Sequence, residues 1–495
     1  MNRELEAAAH PESLRGPLRR VAIDPVSRVE GHGKVSILLD QDNRIHQVRL
    51  HIVEFRGFEK FIQGRPYWEV PVMVQRLCGI CPVSHHLAAS KALDLIVGAK
   101  SLTPAAEKLR RLMHYGQILQ SHALHFFHLA SPDLLFGFDS EPGRRNIVGI
   151  AAAHPEIARM GVLLRKFGQE VIRVTAGKRV HGTGSVPGGV NRSLTSGERD
   201  ALLRDADQMV SWSMQAVGIV KDLHRQNPAL YDSFGAFRSN SLSLVAADGG
   251  LDFYHGRLRA RDADGALIFD RQDPQGYERI ITEAVKPWSY MKFPYLTELG
   301  EEAGWYKVGP LARVINCEHI GTPLAEAERR EFVAHCAGLP AQATLAYHWA
   351  RMIELLFAAE TLRDLLGDRD LEGDDLVTSG ERAFEGVGVI EAPRGTLIHH
   401  YRVDENDLVT MANLIVSTTH NNQAMNTAVR EVARRYLDGR ELTEGLLNHI
   451  EVAIRAFDPC LSCATHALGR MPLELTLLDA DGRRIDRLSR DAEGP

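Results

Sequence analysis

The chain is 495 residues long, 44% hydrophobic, 25% charged and 7% aromatic, with a formal net charge of −6. That is a globular composition, enough for roughly two to four ordinary domains or one large enzyme subunit. Charge is spread without a long basic run, which argues against nucleic acid as a partner, and no stretch reaches the about 18 consecutive apolar residues of a membrane span.

In chain order, residues 1–20 are polar and lack the apolar core of an export signal, so they read as a disordered tail. With few cysteines and no leader, the predicted location is cytoplasmic. Residues 33–55 alternate around "DQDN" and predict a β-hairpin. The segment "RLCGICPVSHH" at 76–86 runs into an Ala/Leu-rich helix. Apolar residues at helical spacing predict helices over 103–129, with Pro104 in the first turn, and near 155–178, 196–226 and 324–366. A Gly-rich loop, "GTGSVPGGVN", occupies 182–191. Paired strands turning at "DADG" are expected within 250–310, strands and loops over 387–420, a helix over 422–437, and a last hairpin in "LELTLLDADGRRIDRL". The fold class is therefore α+β and helix-dominated, a core of long helices with small peripheral β-sheets.

The chemistry concentrates in cysteine. Four of the six cysteines form two C-x-x-C pairs, Cys78 with Cys81 and Cys460 with Cys463, at nearly opposite ends of the chain. Two residues between thiols let both sulfurs face one ion. Joining pairs so far apart costs only a logarithmic loop-closure term, but the tertiary fold must assemble such a site. Two unrelated dithiols, a structural zinc site and a thiolate-bound catalytic metal all fit that spacing, with nickel, zinc and iron as candidate ions. Cys317 and Cys336 stand alone and read as small buried hydrophobes. Four cysteines cannot hold both a catalytic metal and an iron–sulfur cluster, so electrons would have to leave through another chain. The glycines of 182–191 do not fit G-x-G-x-x-G, so no dinucleotide site is expected here.

"RLCGICPVSH" and "DPCLSCATH" resemble the two signature motifs of nickel–iron hydrogenase large subunits, and "DPVSRVEGHGKV", "EFRGFEKF" and "EAPRGTLIHH" agree. The resemblance runs from about Val21 to the C-terminus, and finer stretches such as "WSYMKFPYL" and "SCATHALG" resemble most the cytoplasmic NAD-reducing, bidirectional type. It implies a catalytic domain over 21–466 and reversible heterolytic splitting of H2. Cys78 and Cys460 would be terminal nickel ligands, and Cys81 and Cys463 would bridge nickel to an iron that carries carbonyl and cyanide. Glu30 would take the proton from Cys460, and a turn residue paired with Arg28 is its plainer reading. Arg394 and Thr418 would face the cyanides; the family pattern carries a Trp where this chain has His420. His85 would hydrogen-bond a cysteine sulfur, Asp458 would tune the site or cap the following turn, and Glu59 and His466, with backbone near Leu414, would bind Mg2+. The C-terminal extension 467–495 would be removed by a maturation endopeptidase cutting between His466 and Ala467.

The resemblance also implies partners: an iron–sulfur small subunit, together with flavin- and NAD-binding diaphorase subunits. It implies no NAD or cluster in this chain. A hydrogen sensor or a hydrogenase with another electron acceptor would share the site. A non-catalytic protein with a four-cysteine zinc site would need neither Glu30 nor Arg394.

Overall fold

The computed structural model describes residues 18–336 and 341–465, together with the backbone of the strands Leu473–Leu478 and Arg484–Arg490. Its core is the expected set of long helices. Pro104–Leu124 starts under a Thr103 cap that accepts from the Ala106 amide, with Pro104 in the first turn. Ser196–Gln226 starts on a reciprocal capping box between Thr195 and Glu198. The buried positions of that helix (Leu202, Ala206, Met209, Ser213, Val217, Val220) recur every three or four residues and face the bundle. Ala346–Leu366 is buried around nearly its whole circumference, which makes it the central helix. Pro155–Ala176 and Ser196–Gln226 complete the bundle.

Pro104–Leu124 and Pro155–Ala176 approach through small residues. A Cβ at Gly168 would stand 2.5 Å from the Gly116 carbonyl oxygen and 2.9 Å from the Gln120 amide nitrogen. Backbone cannot step aside as a side chain can. Gly168→Ala is therefore expected to force the two helices apart and cost about 1–3 kcal/mol, read as earlier thermal unfolding.

Several elements differ from the sequence reading, three of them helical. The helix expected over 324–366 is two helices, Pro323–His335 and Ala346–Leu366. Gly338 and Pro340 lie between them, and proline lacks the amide a continuous helix needs. The 103–129 helix is regular only to Leu124 and continues as a π-helical turn, His125–Ala130. Glu444–Ala456 is a helix that the sequence reading passed over, capped by Thr443.

The sheets are peripheral. Arg19–Ile23, Gly33–Leu39 and Ile45–Ile52 form an antiparallel sheet that contains the expected hairpin, and its first strand takes in Arg19 and Arg20 from the segment read as a tail. Arg257–Arg261 and Leu267–Gln272 pair around the expected "DADG" turn, beside Asn240–Val245 and the short parallel strand Tyr306–Lys307. Glu385–Ala392, Gly395–Val403 and Val409–Ile415 form a meander. Ala392 pairs directly with Gly395, which leaves Pro393 and Arg394 as the two residues of a tight turn. Gly395 there has φ +134°, and a Cβ would meet Val308 and the Gly309 amide. Leu473–Leu478 and Arg484–Arg490 pair antiparallel, as the C-terminal hairpin was expected to.

Among the described residues, no helix is long and apolar enough to cross a membrane.

Candidate metal centre

Each C-x-x-C pair sits in a turn that something else holds. Cys78 ends a short 3-10 turn and Cys81 precedes the helix Pro82–Ile96, with Pro82 in its first turn. The Ile80 and Cys81 amides both point at Cys78 Sγ, at 3.3 and 3.2 Å. The Ile80 carbonyl between the cysteines accepts from Gln117 and Gln120 of the neighbouring helix, at 2.8 and 2.7 Å. Residues 182–191 brace the same region: Gln75 donates to the Gly182 carbonyl and the Ser185 amide donates to His86 Nε2. The Gly-rich stretch is thus a small hairpin packed on the Cys78 segment.

The second pair is laid against the N-terminal segment. Glu30 and Cys460 form a parallel bridge, with the Leu461 amide 2.9 Å from the Glu30 carbonyl. Gly31 makes this approach possible: its φ is +81°, and a Cβ would stand 2.7 Å from the Ser462 amide. The Cys460 amide donates to Thr418 Oγ1 at 3.0 Å, which leaves the Thr418 hydroxyl hydrogen free to donate elsewhere.

The result is one buried cluster in which the Cys78, Cys81, Cys460 and Cys463 sulfurs all lie within 4.8 Å of one another. Cys78 Sγ is 3.2 Å from Cys460 Sγ, and the Cys460 and Cys463 sulfurs are in direct contact. Ligation needs both of the latter as thiolates. Burial opposes ionisation of Cys78, yet its hydrogen bonds with Cys81 and the Arg394 charge hold its pKa below the ordinary thiol value. Cys81 moves the other way, driven chiefly by its hydrogen bond to Cys78.

A small cavity of about 10 Å3 borders the sulfurs, walled by Cys81, His85, Arg394, Thr418, Cys460 and Cys463. Arg394 donates to the carbonyl and, at 3.0 Å, to the carboxylate of Asp458. Asp458 thus commits one carboxylate oxygen to the arginine, while its buried Oδ2 has no hydrogen-bond partner. Burial pushes the Asp458 pKa up, against the pull of Arg394 and Arg351. His85 Nδ1 lies 3.1 Å from His399 Nε2, and burial lowers the His85 pKa to about 3, so the ring is neutral.

Arg394 Nη1 and His85 Nε2 are buried without a hydrogen-bond partner, both on residues of the cavity wall. Buried polar groups are normally paired. A closed four-thiolate zinc shell would give these atoms nothing to do. Soft sulfur donors beside unpaired polar groups fit a nickel–iron unit that carries polar ligands of its own.

Glu30 carries the feature a structural site would not need. Its Oε2 lies 3.0 Å from Cys460 Sγ and 3.2 Å from the Ser462 amide, and its Oε1 accepts from the Ser462 hydroxyl. Arg28 is not its partner. That guanidinium reaches Asp133 at 2.6 Å and the Leu129 carbonyl instead, so the plainer reading of Glu30 fails.

A family model described as nickel-dependent hydrogenase matches residues 56–135 and 255–466. The chain belongs to that family. A model described as HoxL-like matches residues 20–55. The chain is 51% identical over 489 residues to the NAD-reducing hydrogenase HoxS subunit beta of Cupriavidus necator, covering 95% of this chain and all of that one. It is 45% identical over 416 residues to a subunit of the F420-non-reducing vhu hydrogenase of Methanocaldococcus jannaschii, covering 84% of this chain and 99% of the relative. Among solved structures it matches an NAD+-reducing NiFe hydrogenase in the H2-reduced state at 60% identity and TM-score 0.89, covering 90% of this chain and 99% of that one. The Ni-Fe-Se hydrogenase of Desulfovibrio vulgaris Hildenborough shares the fold, at TM-score 0.73 and 24% identity. The chain is thus a catalytic subunit of the nickel–iron hydrogenase kind, with the α+β fold expected of it.

Of the remaining expected site residues, Glu59 is half-buried rather than a solvated helix charge. Its carboxylate accepts from the Leu414 amide at 2.9 Å, and burial raises its pKa. It borders a second small cavity, of about 10 Å3, with Glu283, Lys292, Leu414 and Thr465. His466 and Ala467, the expected ligand and cleavage site, lie outside the described residues. Where the family pattern has Trp, His420 is buried and hydrogen-bonded to the Tyr306 hydroxyl at 2.6 Å. Ser462, Gln117 and Gln120 were not singled out from sequence, and nothing in their local pattern marks them. Cys317 is buried as expected, whereas Cys336 is only half-buried.

Proposed function

We propose that this chain is the H2-activating subunit of an NAD-reducing hydrogenase. It splits H2 reversibly and heterolytically at a nickel–iron centre held by Cys78, Cys81, Cys460 and Cys463. When bound, that centre supplies the electron-accepting chemistry of H2 cleavage. Cys78 and Cys460 would hold the nickel, and Cys81 and Cys463 would hold the nickel and the iron together, the iron carrying carbonyl and cyanide. The observation that carries the reading is the Glu30 carboxylate poised on Cys460 Sγ at 3.0 Å. A carboxylate at that atom can take the proton that the Cys460 sulfur accepts, leaving the thiolate, and pass it toward Ser462. Arg394 Nη1 and the Thr418 hydroxyl would hold the cyanides, and His85 Nε2, now without a partner, would donate to a sulfur of the loaded centre.

Electrons leave to an iron–sulfur partner subunit, because Cys317 and Cys336 alone cannot hold a cluster. From there they reach NAD on flavin-containing diaphorase subunits, a linkage supported by the 51% identity to the NAD-reducing relative. Glu59 and His466, with the backbone near Leu414, would hold Mg2+, with Glu283 and Lys292 beside Glu59. An endopeptidase removes 467–495 after His466, and the complex works in the cytoplasm.

Metal content and intact mass, on chain purified from a host with its maturation machinery, test this directly. Nickel and iron in about equal amounts, with a mass loss matching cleavage after His466, are expected. Zinc alone on a full-length chain from that host would refute the catalytic reading.

A further inference from the structure

Far along the chain from the thiolate centre, His224, Asp232 and His335 form a second group of metal-ligating side chains whose ligand atoms all lie within 4.8 Å of one another. His224 Nε2 and His335 Nε2 lie 2.8 and 3.0 Å from the same atom, Asp232 Oδ1. In a tetrahedral zinc site with bonds of about 2.0–2.1 Å, neighbouring donors sit about 3.3 Å apart. A parting of a few tenths of an ångström would admit such an ion.

Three separate elements bring these atoms together, and each is held independently of the ion. His224 lies in the last turn of Ser196–Gln226, Asp232 follows the short helix Pro228–Tyr231, and His335 is the last residue of Pro323–His335. Both histidines thus stand at helix C-termini, whose partial negative charge favours a cation. Earlier along both helices, Lys221 Nζ bonds Glu328 and Glu331 at 3.0 and 2.6 Å and clamps them together. The Trp349 ring packs against both imidazoles, with centroids 5.5 Å from each, which restricts their rotation. Burial holds the His224 pKa below the ordinary value, which favours the neutral, ligating form. The Asp232 and His335 side chains are 49% and 36% exposed, so an ion can enter from solvent and keep a water ligand.

We propose that His224, Asp232 and His335 bind a borderline divalent cation of the zinc class, separate from the thiolate centre, which ties the end of Pro323–His335 to Ser196–Gln226. Two imidazoles with one carboxylate suit zinc-like ions better than the all-oxygen preference of magnesium or calcium. The plainer alternative is a carboxylate that links the two helix ends by hydrogen bonds alone.

The test uses the matured complex, stripped with a mild chelator that leaves its nickel and iron in place and then dialysed against zinc chloride. The native complex is expected to gain one zinc per chain. H335Q and D232N, both at exposed positions, are expected to bind zinc at least about tenfold more weakly with nickel and iron content unchanged. Zinc should also slow hydrogen exchange in the peptide spanning 323–335 of the native complex and not of the variants. No added zinc in the native complex, or equal zinc in the variants, would overturn the site in favour of the hydrogen-bonded alternative.

Discussion

Glu30→Gln is expected to lower H2 oxidation by about a hundredfold or more while leaving nickel and iron content unchanged. Glutamine keeps the length and the acceptor oxygen, so the Ser462 contacts and the bridge of Glu30 to Cys460 can persist. What it loses is the ability to take a proton from the sulfur 3.0 Å away. The ligands are untouched, so metal should load normally, and the deficit should lie in turnover. Glu30→Asp separates geometry from chemistry. It restores a titratable carboxylate but draws it back by one methylene, and should recover part of the rate. Near-native turnover in Glu30→Gln with metal retained would place the proton exit elsewhere.

The site was legible in the sequence where its parts are short motifs. A C-x-x-C turn brings its own two sulfurs together, and "RVEGH" and "APRG" carry one side chain each that the fold brings to the sulfurs. Gly31 lets the Cys460 loop lie on the first motif, and Gly395 lets the Arg394 turn close. What the sequence could not show is what those side chains face. Arg28, two residues from Glu30, pairs with Asp133 some hundred positions on. Gln117 and Gln120 clamp the Ile80 carbonyl from a helix whose local pattern reads only as core. Pairings of this kind exist only in the tertiary fold.

The long helices were legible because apolar spacing repeats over many turns, and their capping residues were present. The misses have local causes. Apolar positions continue on both sides of Gly338 and Pro340, so periodicity alone bridged a break that proline should have marked. Glu444–Ala456 carries a Thr443 cap and an amphipathic pattern that lay unread between the 422–437 helix and the second cysteine motif. Two short strands, Asn240–Val245 and Tyr306–Lys307, pair in parallel across a long stretch of chain, which no hairpin signal can announce.

Arg313→Met is expected to be the most destabilising single change away from the cysteines. Arg313 is fully buried on the short helix Pro310–Asn316 and answers two fully buried carboxylates. Its fork bonds both Glu354 oxygens at 2.6 Å, and Nη1 reaches Glu391 at 2.9 Å. It also donates to the Ala392 and Pro393 carbonyls, the residues that lead into the Arg394 turn. Burial pushes the Glu354 pKa up, but Arg313 and His122 more than offset it and hold the group below the ordinary carboxylate range. Glu391 stays raised, since burial there outweighs its several partners. Methionine fills the volume but leaves Glu354 with one partner, His122, and Glu391 with the Leu244 amide and Thr396 hydroxyl. Breaking a buried pair in this way costs about 3–5 kcal/mol. In a chain this large that should appear as a fall of about 3–5 °C in the apparent unfolding temperature. Adding Glu354→Gln and Glu391→Gln removes the stranded charges and should recover much of the loss, because neutral amides cost less to bury. If the triple variant were no more stable than Arg313→Met alone, packing around the guanidinium, rather than charge, would account for the effect. The carbonyl contacts add a functional arm: with Pro393 released, Arg394 should be less firmly held over the thiolates, and turnover should fall even in the fraction of Arg313→Met that stays folded.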